Sequence, residues 1–281
     1  MTKPQHASEY KKEQTDLVRA TCLYVATKLG DLVDDIVIVG GLVPQLIIDQ
    51  EKLPSGTERH VGTTDLDVGL EFGLLGEGRY HTLAERLRGA GFGQDLNEQG
   101  NVTRQRWRHA VHTKVTVDFL IQEGERTTGG GRLFDLEQDF AAIIAPGLRL
   151  AFLDRLQIEL DGQTILGERA TRKVWVCGPG AFVVLKALAF DGRGENKDAY
   201  DLYYVVRNFG RSAEEVAEHV RPLLGSWEAQ EALEILKRDF LERDRVGPRR
   251  VAAFLRGKGK PDDELQADVV GFVRRLLDLC K

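Results

Sequence analysis

The chain has 281 residues, 42% hydrophobic and 30% charged, an ordinary globular composition with room for one large domain or two modest ones. A net charge of −5 gives no global attraction for a polyanion, so nucleic-acid binding would need a local basic surface. No run reaches the roughly 18 apolar residues of a membrane span, and the widely spaced Cys22, Cys177 and Cys280 exclude a cysteine metal site and point to a reduced, cytoplasmic protein.

In chain order, a helical pattern runs from about Ser8 to Lys28, and Gly30 can end it. The apolar run Ile36-Val37-Ile38-Val39 reads as a strand closed by Gly40-Gly41, and Leu42 to Gln50 as a helix with Pro44 in its first turn. A polar loop over residues 51–63 leads into a strand from Thr64 to Leu70. A helix from Tyr80 to Leu87 is stopped by Gly89 and a Gly91-Phe92-Gly93 turn. Val102 to Ala110 and Lys114 to Ile121 form a hairpin, the second strand turning Val115, Val117, Phe119 and Ile121 one way and Lys114, Thr116 and Asp118 the other. Gly129-Gly130-Gly131 marks a flexible loop. Shorter strands follow at Gln157 to Leu160, running into an Asp161-Gly162 turn, and at Lys173 to Cys177.

After Gly178-Pro179-Gly180 the pattern turns helical, with Ala181 to Phe190, Lys197 to Asn208, Ala213 to Leu224, Ala229 to Leu241 and Leu265 to Leu279. The expected fold is α/β (α+β): a mixed sheet with flanking helices over residues 1–177, then a helical C-terminal domain over 178–281.

Asp65 and Asp67 stand two apart on a strand, so both carboxylates leave the backbone on the same side while Leu66 and Val68 face the core. Oxygen ligands held side by side suit a hard divalent cation such as Mg²⁺. The Gly40-Gly41 pair after a strand lets the backbone approach a polyphosphate closely. A metal platform beside a phosphate loop points to phosphoryl or nucleotidyl transfer. Asp118, mid-strand among apolar neighbours, is the candidate third carboxylate; burial makes it costly unless a metal, an arginine or solvent compensates it. Three such groups could hold two Mg²⁺ ions. The competing readings are a solvent-facing strand end for Asp65 and Asp67, and a salt bridge to a hairpin arginine for Asp118. No Walker lysine or dinucleotide fingerprint follows the glycines.

A second cluster lies further on. Lys186 falls within an apolar helix, where a lysine needs an anionic partner or a route to solvent, and a nucleoside triphosphate would supply the partner. Asn196 reads as an N-cap, placing Asp198 and Asp201 in the first turns of the next helix. For Asp198 a helix-dipole role competes with a functional one; Asp201 could be a base or a partner of Arg193. Arg104, Arg106 and Arg108 share one strand face, either as a charged edge or as a phosphate-binding stripe. The stretch from Lys237 to Lys260, with Arg238, Arg243, Arg245, Arg249, Arg250, Arg256 and Lys258, could hold an RNA backbone. His60, His109 and His112 are not spaced as a metal site.

With these residues assembled, the chain resembles the nucleotidyltransferase superfamily, and within it the AbiEii abortive-infection toxin family. Gly40-Gly41 followed by Thr64-Asp65-Leu66-Asp67 is similar to the glycine and Asp-x-Asp motif, and Asp118 in Val117-Asp118-Phe119 to the third carboxylate. Lys186 with Lys197-Asp198-Ala199-Tyr200-Asp201-Leu202 is similar to the later motifs of the AbiEii group. Gly41 stands where many members carry serine, and His60 near where relatives often carry arginine. The resemblance implies Asp65, Asp67 and Asp118 as metal ligands for Mg²⁺, with Mn²⁺ as the alternative. It further implies Asp201 beside them in catalysis, and Gly40, Gly41, Thr64, Lys186 and Asp198 on the nucleotide. The implied reaction moves a nucleoside monophosphate from an NTP to an acceptor, RNA at the tRNA 3′ end, in a toxin paired with an antitoxin protein. A small-molecule acceptor, or a non-catalytic nucleotide- or RNA-binding module, are the alternatives.

Overall fold

The computed structural model describes residues 4–71, 77–123, 129–257 and 262–281. It is a mixed α/β structure: a mixed sheet with helices, followed by a helical C-terminal region. The chain divides into two compact units, one of Lys12–Val43 and Gly62–Cys177, the other of the N-terminal residues as far as Lys11, Pro44–Val61 and Gly178–Lys281.

In chain order the first part comprises α1 (Lys12–Leu29), β1 (Ile36–Val39), α2 (Val43–Ile47), β2 (Asp65–Leu70), α3 (Glu77–Gly89), β3 (Phe92–Leu96), β4 (Val102–His109), β5 (Thr116–Gln122), β6 (Leu133–Glu137), β7 (Phe140–Ala145), α4 (Leu150–Leu153), β8 (Arg155–Gln163) and β9 (Arg169–Cys177). The strands run in the order β3-β4-β5-β2-β1-β9-β8, with β7 joined to β5 and β6 to β7. Strand β5 is forked. One side pairs along its length with β2, in parallel; on the other, Thr116 to Asp118 pair with β4 and Leu120 to Gln122 with β7.

Alternation along these strands separates core from site. Leu66, Val68 and Leu70 on β2 and Val117, Phe119 and Ile121 on β5 are fully buried, each such side chain contributing roughly 1.5–3 kcal/mol. Trp107, Phe119 and Phe140 meet edge to face with centroids 4.9 to 6.2 Å apart. Asp65 and Asp67 alternate with Leu66 and Val68, and Asp118 sits between Val117 and Phe119, so the acidic side chains leave on the other side.

The second unit takes α2 from Pro44 onward and the helices α5 (Pro179–Arg193), α6 (Asn196–Asn208), α7 (Ala213–Val220), α8 (Trp227–Phe240), α9 (Val246–Arg256) and α10 (Asp263–Leu279). Pro179 opens α5 and Gly194, in the left-handed region at φ 64°, closes it. Gly180 permits a close helix contact, since a Cβ there would lie 2.4 Å from the His219 backbone. Ser226 and Asp262 cap α8 and α10 by accepting from Ala229 N–H and Leu265 N–H. Among the described residues, no helix is long and apolar enough to cross a membrane.

Several expected elements differ. The first helix starts at Lys12, not Ser8, and the helix after Gly40-Gly41 stops at Ile47. The Gly91-Phe92-Gly93 segment starts a strand, β3, whose Phe92 is buried. Asp161-Gly162 is no turn: both residues pair within β8, and the reversal comes at Thr164, where Gly167 N–H donates to Thr164 O. Asn196 is the first residue of α6, and Glu195 precedes it without a side-chain cap bond. Strands β6 and β7 and helix α9 have no counterpart in the sequence reading.

Candidate metal centre and a second ion-pair cluster

The acidic site is built by register. Asp67 on β2 is the direct partner of Asp118 on β5, and Asp118 is in turn the partner of Arg106 on β4. Cross-strand partners point to one face, so Asp67, Asp118 and Arg106 form a row, with Asp65 two residues back on β2. One carboxylate oxygen from each of Asp65, Asp67 and Asp118 lies within 4.8 Å of the others, and these residues could hold a metal ion. Asp118 and Asp65 are buried. An all-oxygen set of this kind suits a hard cation.

Local structure fixes each ligand. Thr63 Oγ1 donates to Asp65 Oδ1 at 2.9 Å, and Thr63 is tied to α1, its N–H donating to Thr15 Oγ1 at 3.2 Å. Gly40 follows β1, whose last residue, Val39, pairs with Asp67. Its φ of +71° favours glycine, and a Cβ there would fall 1.8 Å from Asp67 Oδ2. Gly40 therefore leaves the space that the Asp67 carboxylate occupies. Gly41 is buried in the same turn. Thr64 is half-buried just before β2, its carbonyl accepting from Gln14 Nε2 at 3.4 Å.

Arg106 clamps Asp118 with two parallel bonds, Nε to Oδ1 and Nη2 to Oδ2, both 2.6 Å. The hydrogen-bonded Asp118 carboxylate, with Asp65 and Asp67 adding to it, raises the Arg106 pKa further above its ordinary value. The hairpin salt bridge and the three-carboxylate cluster, weighed as alternatives, thus coexist. The neighbouring arginines are paired too, Arg104 with Asp135 at 3.0 Å and Arg108 with Asp95 at 2.8 Å.

The second cluster lies within the helical unit. Lys186 Nζ on α5 contacts Asp198 Oδ1 at 2.9 Å and Asp201 Oδ2 at 2.7 Å, both from α6. Arg193 forks onto Asp198 at 2.6 and 2.8 Å, and Lys197 reaches Asp201 at 2.7 Å. The anionic partner that Lys186 requires is supplied by the chain itself. His60, 141 residues away in sequence, places Nε2 2.9 Å from Asp201 Oδ1 and stacks on Tyr200. Facing a carboxylate that only accepts, Nε2 is the protonated nitrogen.

Burial would raise the Asp201 pKa, but the ammonium groups of Lys186 and Lys197 and the His60 bond outweigh it and hold the carboxyl well below its usual range. Burial also dominates at His60, lowering its pKa to about 4 against the pull of Asp201. Neither His60 nor Thr63 was a sequence candidate. Each acts through a contact with another side chain, and no spacing in the sequence signals His60's.

The basic stretch from Lys237 onward carries many pairs of its own. Arg238 bonds Asp191 and Asp239, Arg245 contacts Glu242, and Arg256 contacts Asp262 and Glu58. Lys258 and Lys260 lie outside the described residues.

No family model and no curated protein matches the chain in sequence. Among solved structures the chain is similar to the crystal structure of JHP933 from Helicobacter pylori, at 12% identity and a TM-score of 0.39 over 96% of this chain and 94% of that one. Residue chemistry, not this likeness, carries the functional argument.

Proposed function

We propose that the protein is a metal-dependent nucleotidyltransferase that moves a nucleoside monophosphate from an NTP to an acceptor and releases pyrophosphate. The observation that carries this reading is the convergence of Asp65, Asp67 and Asp118 within 4.8 Å on one sheet face, against a glycine whose missing side chain makes room for Asp67. Bound there, a divalent ion would supply charge neutralisation for the triphosphate and activation of the acceptor oxygen. Asp65 and Asp67 would hold it from β2 and Asp118 from β5, with Thr63 orienting the Asp65 oxygen. Gly40 makes room for the Asp67 carboxylate, and the resemblance puts Gly40, Gly41 and Thr64 on the nucleotide. The resemblance assigns Lys186, Asp198 and Asp201 to the nucleotide and the chemistry. Their ion pairs support a bracing part in that role, because Asp201 already accepts from Lys186, Lys197 and His60 and is a poor proton acceptor at neutral pH.

The acceptor in the leading reading is RNA, at the tRNA 3′ end, with the protein as the toxin of a toxin–antitoxin pair. A small-molecule acceptor is favoured by one observation: Arg104, Arg106, Arg108, Arg238 and Arg256 all face carboxylates, which leaves less positive charge for an RNA backbone. Incubation with labelled NTPs, Mg²⁺ and either total RNA or small hydroxylated acceptors separates the two. RNA binding should weaken with salt at a log–log slope of about −0.7 per phosphate contact, and small-molecule binding far less. Asp67→Ala should cost at least about a thousandfold in transfer. Wild-type rates in that variant, or no transfer to any acceptor, would remove the proposal.

A further inference from the structure

Arg106 holds both oxygens of Asp118, and a divalent ion that takes Asp118 as a ligand needs one of them. The ion would also bring its charge up against a guanidinium already drawn towards Asp118, Asp65 and Asp67. The two partners differ in freedom. Asp118 is mid-strand with 5% of its side chain exposed, and its backbone is paired on both sides; the Arg106 side chain is 36% exposed. Arginine is the partner that can leave.

We infer that Arg106 is a placeholder for the metal: it pairs with the third carboxylate while no cation is bound, and gives up at least one Asp118 oxygen when a divalent cation enters. Arginine and metal therefore compete for one carboxylate. The inference rests on the metal-binding reading above. Its physical basis is that clustered, poorly solvated carboxylates are costly without a counter-charge. Arg106 lowers that cost, so the sheet can form before any ion arrives, and metal affinity is reduced by the bonds that must be exchanged. The opposite role, a buttress that presents Asp118 to the ion, predicts the opposite sign for the effect of removing the arginine.

The test is calorimetric titration with Mn²⁺ alone, without nucleotide, on the wild type, Arg106→Gln, Arg106→Lys and Asp67→Ala. Arg106→Gln should bind Mn²⁺ about tenfold more tightly, the equivalent of one charge-assisted hydrogen bond no longer broken. Arg106→Lys should tighten binding by a smaller factor, because lysine keeps the charge and loses the fork. A measurement on the unmutated protein covers the case in which Arg106→Gln fails to fold. The Arg106 Nε–H, protected by Asp118, should exchange faster with solvent as Mg²⁺ is added. Weaker or unchanged Mn²⁺ binding in the folded arginine variants, or an Nε–H still protected at saturating Mg²⁺, overturns the placeholder role and leaves the metal site standing. Absence of Mn²⁺ binding by the wild type, or equal binding by Asp67→Ala, removes the metal reading and this inference with it.

Discussion

The sheet and the helical unit each contain a cluster of charged side chains, and the two are built differently. On the sheet, three carboxylates converge and Arg106 clamps one of them, Asp118. Among the helices, Asp198 and Asp201 share Lys186, Lys197 and Arg193, with His60 as a further donor. Close ion pairs therefore do not by themselves mark a ligand site. The helical cluster ties α5 to α6 through Lys186, Asp198 and Asp201, while on the sheet Arg106 holds one of three carboxylates that could share a metal ion.

This contrast can be broken most directly by comparing unfolding free energies. Asp201→Ala strands Lys186 and Lys197 without a shared carboxylate, and should cost about 3–5 kcal/mol. Asp67→Ala, which relieves like-charge crowding, should change stability by less than about 1 kcal/mol while abolishing transfer. Equal losses in denaturant titrations of the two variants would erase the distinction.

A smaller effect comes from His60. Its folded pKa, about 4, lies below the ordinary 6.5, so the unfolded chain takes up a proton that the folded one refuses. The stability this provides is complete above pH 6.5 and is lost as pH falls from 6.5 towards 4. At pH 5 the loss is about 2 kcal/mol relative to neutral pH. Subtracting the pH profile of His60→Asn from that of the wild type should isolate this component, and parallel profiles would show that the imidazole is not held neutral.

The smallest effect sharpens the sheet side of the comparison. Mg²⁺ at ten times its dissociation constant should stabilise the wild type by about 1.4 kcal/mol, read as a rise in melting temperature. Asp67→Ala should show none of it. A similar rise in both would place the ion elsewhere.

The carboxylate pattern on β2 and β5 was legible because a strand's two-residue period converts sequence directly into facing. The hairpin matched closely for the same reason, and β1, buried at every residue, was legible as an unbroken apolar run. Strand β3 was hidden by Gly93 within it and by Gly91 before it, the latter at φ +84° beside the His109 ring. Helix α9 was hidden by Gly247 and Pro248 in its first turn and by its arginines, although Val251, Ala252 and Phe254 bury a face. For Asp201 the sequence reading offered Arg193 as a partner, but Arg193 pairs with Asp198; Asp201 meets Lys186, Lys197 one turn away, and His60, which only the fold brings near.

The fork in β5 bears on how faithfully the chain aligns itself. A slip of one residue along a strand exchanges its two faces. On β5 such a slip would turn Asp118 into the apolar core and Val117 and Phe119 onto the face of the acidic site. Among the described strands β5 alone is matched against three neighbours, β2, β4 and β7. A misaligned β5 would have to satisfy three ladders at once, so the strand that carries the third carboxylate is also the one whose alignment is proofread most often.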